Sequence, residues 1–572
     1  MTSEPGGNLS RRRLLRLTGA GLGVLAASGV LAACAPPPAK ESGDGATGSG
    51  AGARGADVPI DSLTLALPSS LSTLDVGRES GVLNYLVAVL AQESLLSVDP
   101  SGKLGPGLAS SWKQPDARTY VYTLRRGVTF TDGTPFTADD VVASIDAIRD
   151  PKNGSALGYA YAGVESVKST GDHEVTIRLK APDAMFAWTT TAGGLLVSSR
   201  AFLTRNKGRI GTAKTLLLGT GPYRITEFAA DDHVLLERND AWWGEKPAVR
   251  KLKLSFVPDA GTRLVAMKSG AVDGALGLAS DEARGWESDA RVTYTGDRSV
   301  VSLAFDTAKA PFDDLHVRRA IAHAADREGM VKGILHGKAE VADALPSREM
   351  WGDLMPASEV SSGYDALPSR EMWGDLMPAS EVSSGYDAIP ALSFDLDAAR
   401  AELDKSSAKD GFTAELHYPN SGPQLGKAAL ALAASLKEIG ITLNVKEITL
   451  EQWVAELGSG KQPLQFLWYF PVTGDPAELA DPYLNAAATA TDIAHYDNST
   501  VNTALDTAKS ATDKDVRARE LMKAVQTAGA DLPYLPLWWA RTASAFSKEF
   551  VLLDQGPFAF IGPWATRIRK SA

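Results

Sequence analysis

Cysteine is almost missing from this chain: Cys34 is the single one in 572 residues. One thiol excludes any disulfide within the chain. Histidine is scarce too, with seven residues and no HxH or HxxxH pair. That scatter argues against a Cys/His metal site. His316 and His323 could share one helix face, and they are read as surface histidines. No excess of positive charge exists either: 58 Lys and Arg stand against 69 Asp and Glu, a net charge of −11. Such a balance argues against a nucleic-acid partner, whose phosphates demand a basic surface. Strongly apolar runs of transmembrane length, about 20 residues, are lacking as well. So are the short signatures of common enzymes. GxSxG is absent, no lysine follows a GxxxxG, and no GxGxxG follows a strand. The Asp-Asp pairs at 139, 231 and 313 fall at helix starts and in a turn, where capping and turn chemistry explain them. Among 69 acids a facing pair of catalytic carboxylates remains open, so an extracytoplasmic hydrolase stays as an alternative.

What is present begins at the N-terminus. "SRRRLLRLTG" (Ser10–Gly19) sets arginines ahead of "LGVLAASGVLAAC", a mild stretch rich in Gly and Ala. A basic region, a short apolar core and small residues before a cleavage point describe a signal peptide. The pattern resembles a twin-arginine export signal, with Arg11 and Arg12 as the pair. "LAAC" resembles a lipobox, which implies cleavage before Cys34 and a diacylglycerol on its sulfur. Each buried methylene contributes about 0.8 kcal/mol, so two acyl chains anchor stably where one does not. Residues 1–33 are thus read as the signal, and Cys34 as the lipidation site. The following "APPPAKESGDGATGSGAGARGADVP" has no large apolar residue and reads as a flexible tether over 34–59.

At this length one core is not enough, and two or more lobes are expected. The patterning from Ile60 onward is that of an α/β protein. "SLTLAL" alternates as a strand, and "RTYVYTLRRGVTFTDG" reads as two short strands with a turn at Asp132-Gly133. "TADDVVASIDAI" starts a helix capped by Thr137, with Val141, Ile145 and Ile148 on one stripe. "GTGPYRITEFAADDHVLLERN" reads as a hairpin. In the second half, "DDLHVRRAIAHAADREGMVKGIL" is expected to be one long helix. "TAELHY", "GKAALALAASLKEIG" and "ITLNVKEI" read as strand, helix and parallel strand. "LPYLPLWWARTASAFS" is expected to return to short strands, with Trp538 and Trp539 as packing residues. "DALPSREMWGDLMPASEVSSGY" occurs twice without a difference, at Asp343–Tyr364 and Asp365–Tyr386. Two perfect copies do not make a solenoid, which needs at least three. The duplication reads as loop, one copy on the original path and the other bulging outward. Doubling a loop costs only about 0.6 kcal/mol in closure entropy.

Several stretches carry a family resemblance from about Ser62 to Trp564. They are "LRRGVTFTDGTPFTADDV", "GTGPYRI" with "ERNDAWWG", "LAFDTAKAPFDDLHVRRAIAHAADREGMV" and "LPYLPLWW". In that order they resemble the extracellular solute-binding proteins of family 5, the dipeptide-, oligopeptide- and nickel-binding proteins of ABC importers. The resemblance implies a two-lobed periplasmic-binding-protein-like α/β fold of type II, in its large peptide-binding class. Lobe I would span 60–300, with a subdomain at about 83–212. Lobe II would span 301–531, and 532–572 would return to lobe I. It further implies a monomer that takes a small peptide or peptide-like solute, works with membrane permease subunits and needs no cofactor. Sugars, opines and metal chelates are the alternative ligands. For the ligand site, the loop after the first strand offers Ser70, Leu71 and Ser72. "FLWYFPVTGDPAELADPYL" resembles the family stretch whose acid pairs with a peptide α-amino group. Asp475 is the candidate for that acid, with Trp468 and Tyr469 stacking nearby. Asp481 competes, because the gap from Asp475 to Asp481-Pro482 is longer than the family spacing.

Overall fold

The computed structural model describes residues 55–351 and 376–572, apart from 57, 101, 458, 489–491, 557 and 559. The signal, Cys34 and most of the tether lie outside the described residues. The first long strand, β1 (Ile60–Leu67), runs through the middle of a large mixed sheet, and four of its last five residues, Leu63, Leu65, Ala66 and Leu67, are buried. Burial on both faces is why "LTLAL" holds no charge.

A separate antiparallel sheet follows. Its strands are β2 (Ala109–Asp116), β3 (Thr119–Leu124), β4 (Val164–Gly171) and β5 (Glu174–Leu179), in the order β2-β3-β5-β4. Helix α1 (Val82–Ala91) precedes it, and α2 (Ala138–Arg149) packs on it through Val141 and Ile145. The capping motif read from the sequence forms: Asp140 Oδ2 accepts from Thr137 N at 2.8 Å and from Thr137 Oγ1 at 2.9 Å. "DGTPFTADD" is therefore scaffold. Asp132 Oδ1 accepts from Thr134 N at 3.0 Å, and Gly133 sits at φ 85°, where a side chain would be strained.

The chain then returns to the large sheet. The hairpin β6 (Tyr223–Ala229) and β7 (His233–Arg238) leads to β8 (Val249–Phe256), which lies parallel to β1. Helix α3 (Ala260–Lys268) connects to β9 (Gly274–Leu278), parallel to β1 on its other side. "ERNDAWWG" has a structural job here. The indoles of Trp242 and Trp243 donate to the Glu93 carboxylate at 3.1 and 3.0 Å, and Thr220 Oγ1 adds a third donor at 2.7 Å. Burial pushes this carboxyl up to about 7 against those donors.

Strand β10 (Ala290–Phe305) is 16 residues long. Helices α4 (Leu315–Ala324) and α5 (Arg327–Gly333) follow it. The expected single helix is thus two, because Asp326 turns out of the helix and caps the second one through Gly329 N at 2.8 Å. Helix α6 (Ala379–Asp387) closes the duplicated region. Of the duplication, Asp343–Trp351 of the first copy and Leu376–Tyr386 of the second are described, and neither copy is described whole. The two pieces pack together: Trp351 Nε1 donates to Tyr386 Oη at 2.8 Å, and Tyr386 Oη donates to Pro346 O at 2.8 Å. The bulge expected for the extra copy falls outside the described residues.

Strands β11 (Thr413–Pro419) and β12 (Thr442–Ile448) are parallel and joined by α7 (Pro423–Lys437), the unit read from the sequence. After α8 (Leu450–Glu456), β13 (Leu464–Tyr469) pairs with β10, and α9 (Ala477–Leu484), α10 (Ser499–Ser510) and α11 (Lys514–Asp531) follow. The tail "YLPLWWARTASAFS" is not a set of short strands. It is one strand, β14 (Tyr534–Ser547), despite Pro536. Pro536 lies opposite Ser302 at an irregularity of the β10–β14 ladder between Val301 and Ser302, a place that tolerates proline, and the strand runs on to pair with β9 at Ala543–Phe546. Trp538 and Trp539 are buried on its opposite faces, in two different cores.

The large sheet runs β13-β10-β14-β9-β1-β8-β7-β6 among the described residues. Its first-lobe end is built on the core around Leu65, Val87, Leu254 and Trp564, and its second-lobe end on the cores around Leu467, Leu505, Phe305 and Leu535. Strands β10 and β14 cross from one lobe to the other. Their ladder is broken between Gly296 and Val300, so the joint lies within two paired strands.

Candidate functional site

The stretch from β13 into α9 is where the two lobes meet. Phe470 and Val472 belong to the second-lobe chain yet pack against the first-lobe core. Val472 rests on Gly193. A Cβ at 193 would lie 2.7 Å from Val472 Cγ2, so only glycine allows the approach. In the other direction, Met185 of the first lobe packs against a second-lobe core, and Ala184 N donates to Lys509 O at 3.0 Å.

Asp475 does not present a free carboxylate to this crevice. Its Oδ1 accepts from Arg517 Nη2 at 2.7 Å and from Ala477 N at 2.9 Å, capping α9. Both side chains of that ion pair are nearly buried, 13% and 10% exposed. Asp481 is also engaged: Lys509 Nζ sits 2.7 Å from Oδ2, and Asn485 Nδ2 donates to Oδ1 at 3.0 Å. Trp468 is half-buried on the second-lobe core and pairs with Val301 across the sheet. Ser70 and Ser72 are exposed, Leu71 is buried, and Ser72 Oγ donates to Glu79 Oε2 at 2.6 Å. Among the described residues, no hydrogen bond joins this loop to Trp468, Tyr469 or Asp475.

Tyr469 leads to a residue that the sequence reading passed over. Its hydroxyl donates to Glu478 Oε1 at 3.1 Å. The same carboxylate accepts from Val472 N at 2.7 Å and Thr473 N at 2.6 Å. Glu478 therefore pins the very loop that docks on the first lobe. Four phenols surround it. Tyr469 and Tyr483 come from the second lobe, with ring centroids 5.3 Å apart at 73°. Tyr85 of α1 and Tyr159 come from the first lobe, and the Tyr85 phenol is pushed up by burial, by Tyr159 and by the nearby Glu478 charge. Tyr85 Oη donates to Gly193 O at 3.0 Å. Tyr159 keeps 69% of its surface accessible, so it stands on a crevice wall and not in a core. Glu478 is itself half-buried, and burial pushes its carboxyl up to about 7 against the donors of Thr473, Val472 and Tyr469. Its only mark in the sequence is a place in the first turn of a helix, which many of the 69 acids share.

Beside this crevice a cavity of about 420 Å³ separates the small sheet from α10 and α11, lined among others by Tyr120, Asp183, Lys514 and Arg517. That volume is within the range of small-molecule sites. A second hollow of about 430 Å³ lies between α6 and α11 and shares no lining residue with the first. Among the described residues no cluster of three or more His, Cys, Asp or Glu is arranged to hold a metal ion.

The sequence profile of the bacterial extracellular solute-binding proteins, family 5, matches residues 103–491. The chain belongs to that family. A similar family member is the probable D,D-dipeptide-binding periplasmic protein DdpA of Escherichia coli, 25% identical over 512 residues, covering 86% of this chain and 91% of DdpA. Solved folds agree. The Helicobacter pylori binding protein DppA, in complex with the peptide STSA, superposes with a TM-score of 0.76 at 19% identity, over 90% of this chain and 99% of that one. The binding protein AgaA in complex with agropinic acid, from A. tumefaciens R10, gives 0.72 at 21% identity, over 89% and 98%. The two-lobed α/β fold expected from the family 5 resemblance is the fold of this chain.

Proposed function

We propose that this family 5 protein is the substrate-binding lipoprotein of an ABC importer. It captures a small peptide or peptide-like solute outside the membrane and delivers it to the permease by closing its lobes. Cys34 carries the lipid anchor, and the chain acts as a monomer without catalysis. The reading rests on one observation: Glu478 is surrounded by phenols drawn from both lobes, Tyr85 and Tyr159 on one side and Tyr469 and Tyr483 on the other. A solute held there touches both lobes only when they are closed, so its binding free energy favours closure. Glu478 is the charge that reads a cationic group of the solute, and the phenol faces add cation–π attraction. Asp475, committed to Arg517, shapes the helix start beneath it. Lobe movement is taken up where the β10–β14 ladder is already broken.

Native mass spectrometry of the soluble form beginning after Cys34, purified without refolding, tests this. Adducts at peptide masses are the expected result. A single non-peptide mass would keep the binding role and replace the ligand class. Absence of any adduct, followed by no hit from a solute library, would overturn the reading.

A further inference from the structure

The lobe junction half-buries two carboxyls, one from each lobe, each beside groups of the other lobe. Glu478 of α9 holds the Val472 and Thr473 amides of the loop that docks on Gly193. Asp183 of the first lobe sits in the segment that docks on α10 through the Ala184–Lys509 backbone bond. The groups facing Glu478 are Tyr469 and Tyr483 from its own lobe and Tyr85 and Tyr159 from the other, with the Asp475–Arg517 pair one turn away. Those facing Asp183 are Lys509 of α10, Asp481 of α9 and Arg517 of α11, with Tyr120 of β3, whose hydroxyl donates to Asp183 O at 3.2 Å. No histidine is among them. Separation of the lobes would return both carboxyls to water.

We propose that proton uptake by Glu478 and Asp183 favours closure of the ligand-free protein, and that a cationic ligand replaces the proton on Glu478. The second half rests on the importer reading above; the first half does not. Glu478 keeps its own-lobe donors Tyr469, Val472 and Thr473 when the lobes part, whereas the approach of the other lobe takes water from it, and burial pushes its carboxyl up to about 7. Burial pushes Asp183 up as well, against the Met185 amide that it accepts. The closed state therefore holds protons more tightly. Its proton-linked advantage is present at acid pH and is lost as pH rises through about 7. Above that, closing without a ligand buries two carboxylate charges that only the local donors and cations offset.

Hydrogen-exchange mass spectrometry of the full ligand-free chain at pH 5 and pH 8, corrected for intrinsic exchange, tests the proposal. The peptides to follow cover Pro182–Trp188 and Phe470–Thr473, with the β2–β5 sheet as internal reference. Protection of the two docking segments should be at least about tenfold greater at pH 5, the change one pKa unit represents, while the reference stays level. Asp183→Asn and Glu478→Gln should each shrink that ratio several-fold. Should Glu478→Gln fail to fold, Asp183→Asn decides, because asparagine can still accept the Met185 amide at 2.9 Å. Equal protection at both pH values, a change shared by the reference sheet, or an undiminished ratio in the variants would overturn it. A protein without solute adducts but with the pH ratio intact would sink the importer reading and leave the proton-linked closure standing.

Discussion

At the scale of single residues, two acids three positions apart, Asp475 just before α9 and Glu478 in its first turn, do opposite work. Asp475 is nearly buried against Arg517, and Glu478 faces a crevice between lobes. Removing a charge from the first leaves a buried guanidinium without its partner. Asp475→Asn should therefore destabilise the fold by about 3 kcal/mol, read as a lower Tm, with ligand affinity altered only through stability. Removing the charge from Glu478 should leave the melting temperature nearer the parent and weaken ligand binding by about 1.5–3 kcal/mol, read by calorimetry. The reverse pattern would return the anchoring role to Asp475. Gly193→Ala is the third case. Its methyl would meet Val472 at 2.7 Å, so the expected outcome is a weakened lobe contact, seen as raised exchange at Phe470–Thr473 with the β1 strand unaffected. Residue identity could not separate these acids, because burial and partner choice come from elements distant in sequence.

At the scale of elements, the duplication makes the clearest prediction. The described pieces Asp343–Trp351 and Leu376–Tyr386 supply positions 1–9 and 12–22 of the repeat, one copy less two residues. Trp351 and Tyr386 come from different copies and hydrogen-bond at 2.8 Å, as residues of one copy would in a chain without the repeat. Because the copies are identical, deleting Asp365–Tyr386 yields the same sequence as deleting the first copy. The packed unit should survive, and the Tm should fall by no more than about 1 °C, less than the roughly 2–4 °C that a 1 kcal/mol loss costs a domain of 150–250 residues. A larger fall in differential scanning calorimetry would show that the extra copy is packed. Elements with local signals were legible beforehand: the Thr137 cap, the Tyr223–Arg238 hairpin, the β11–α7–β12 unit. Of those that failed, one did so against strand pairing across the sheet and one against a local cap. Strand β14 accommodates Pro536 at an irregularity of its ladder with β10, and the helix after Asp314 breaks where Asp326 finds a capping role.

At the scale of the whole molecule, the lipid anchor and the lobes each give one test. Cys34→Ala should move the protein from the membrane fraction to the supernatant, because the acyl chains alone would hold it there. Saturating ligand should raise the Tm, since binding at 100 times Kd contributes about 2.7 kcal/mol to the closed, folded state. The family and the α/β class were readable from the linear chain because each is carried by contiguous residues, ordered motifs around caps and turns. Hydrophobic periodicity also marked Val141 and Ile145 of α2, both buried, since a helix buries the face its own sequence makes apolar. The crevice was not readable. Tyr85, Tyr159, Glu478 and Tyr483 are spread over some 400 positions and have no shared spacing. Only the crossing of β10 and β14 sets the second lobe against the first, and only that packing takes water from Glu478 and Asp183 while giving Asp475 an arginine. The desolvation of a charge depends on what lies across the gap, and the chain's order does not contain that.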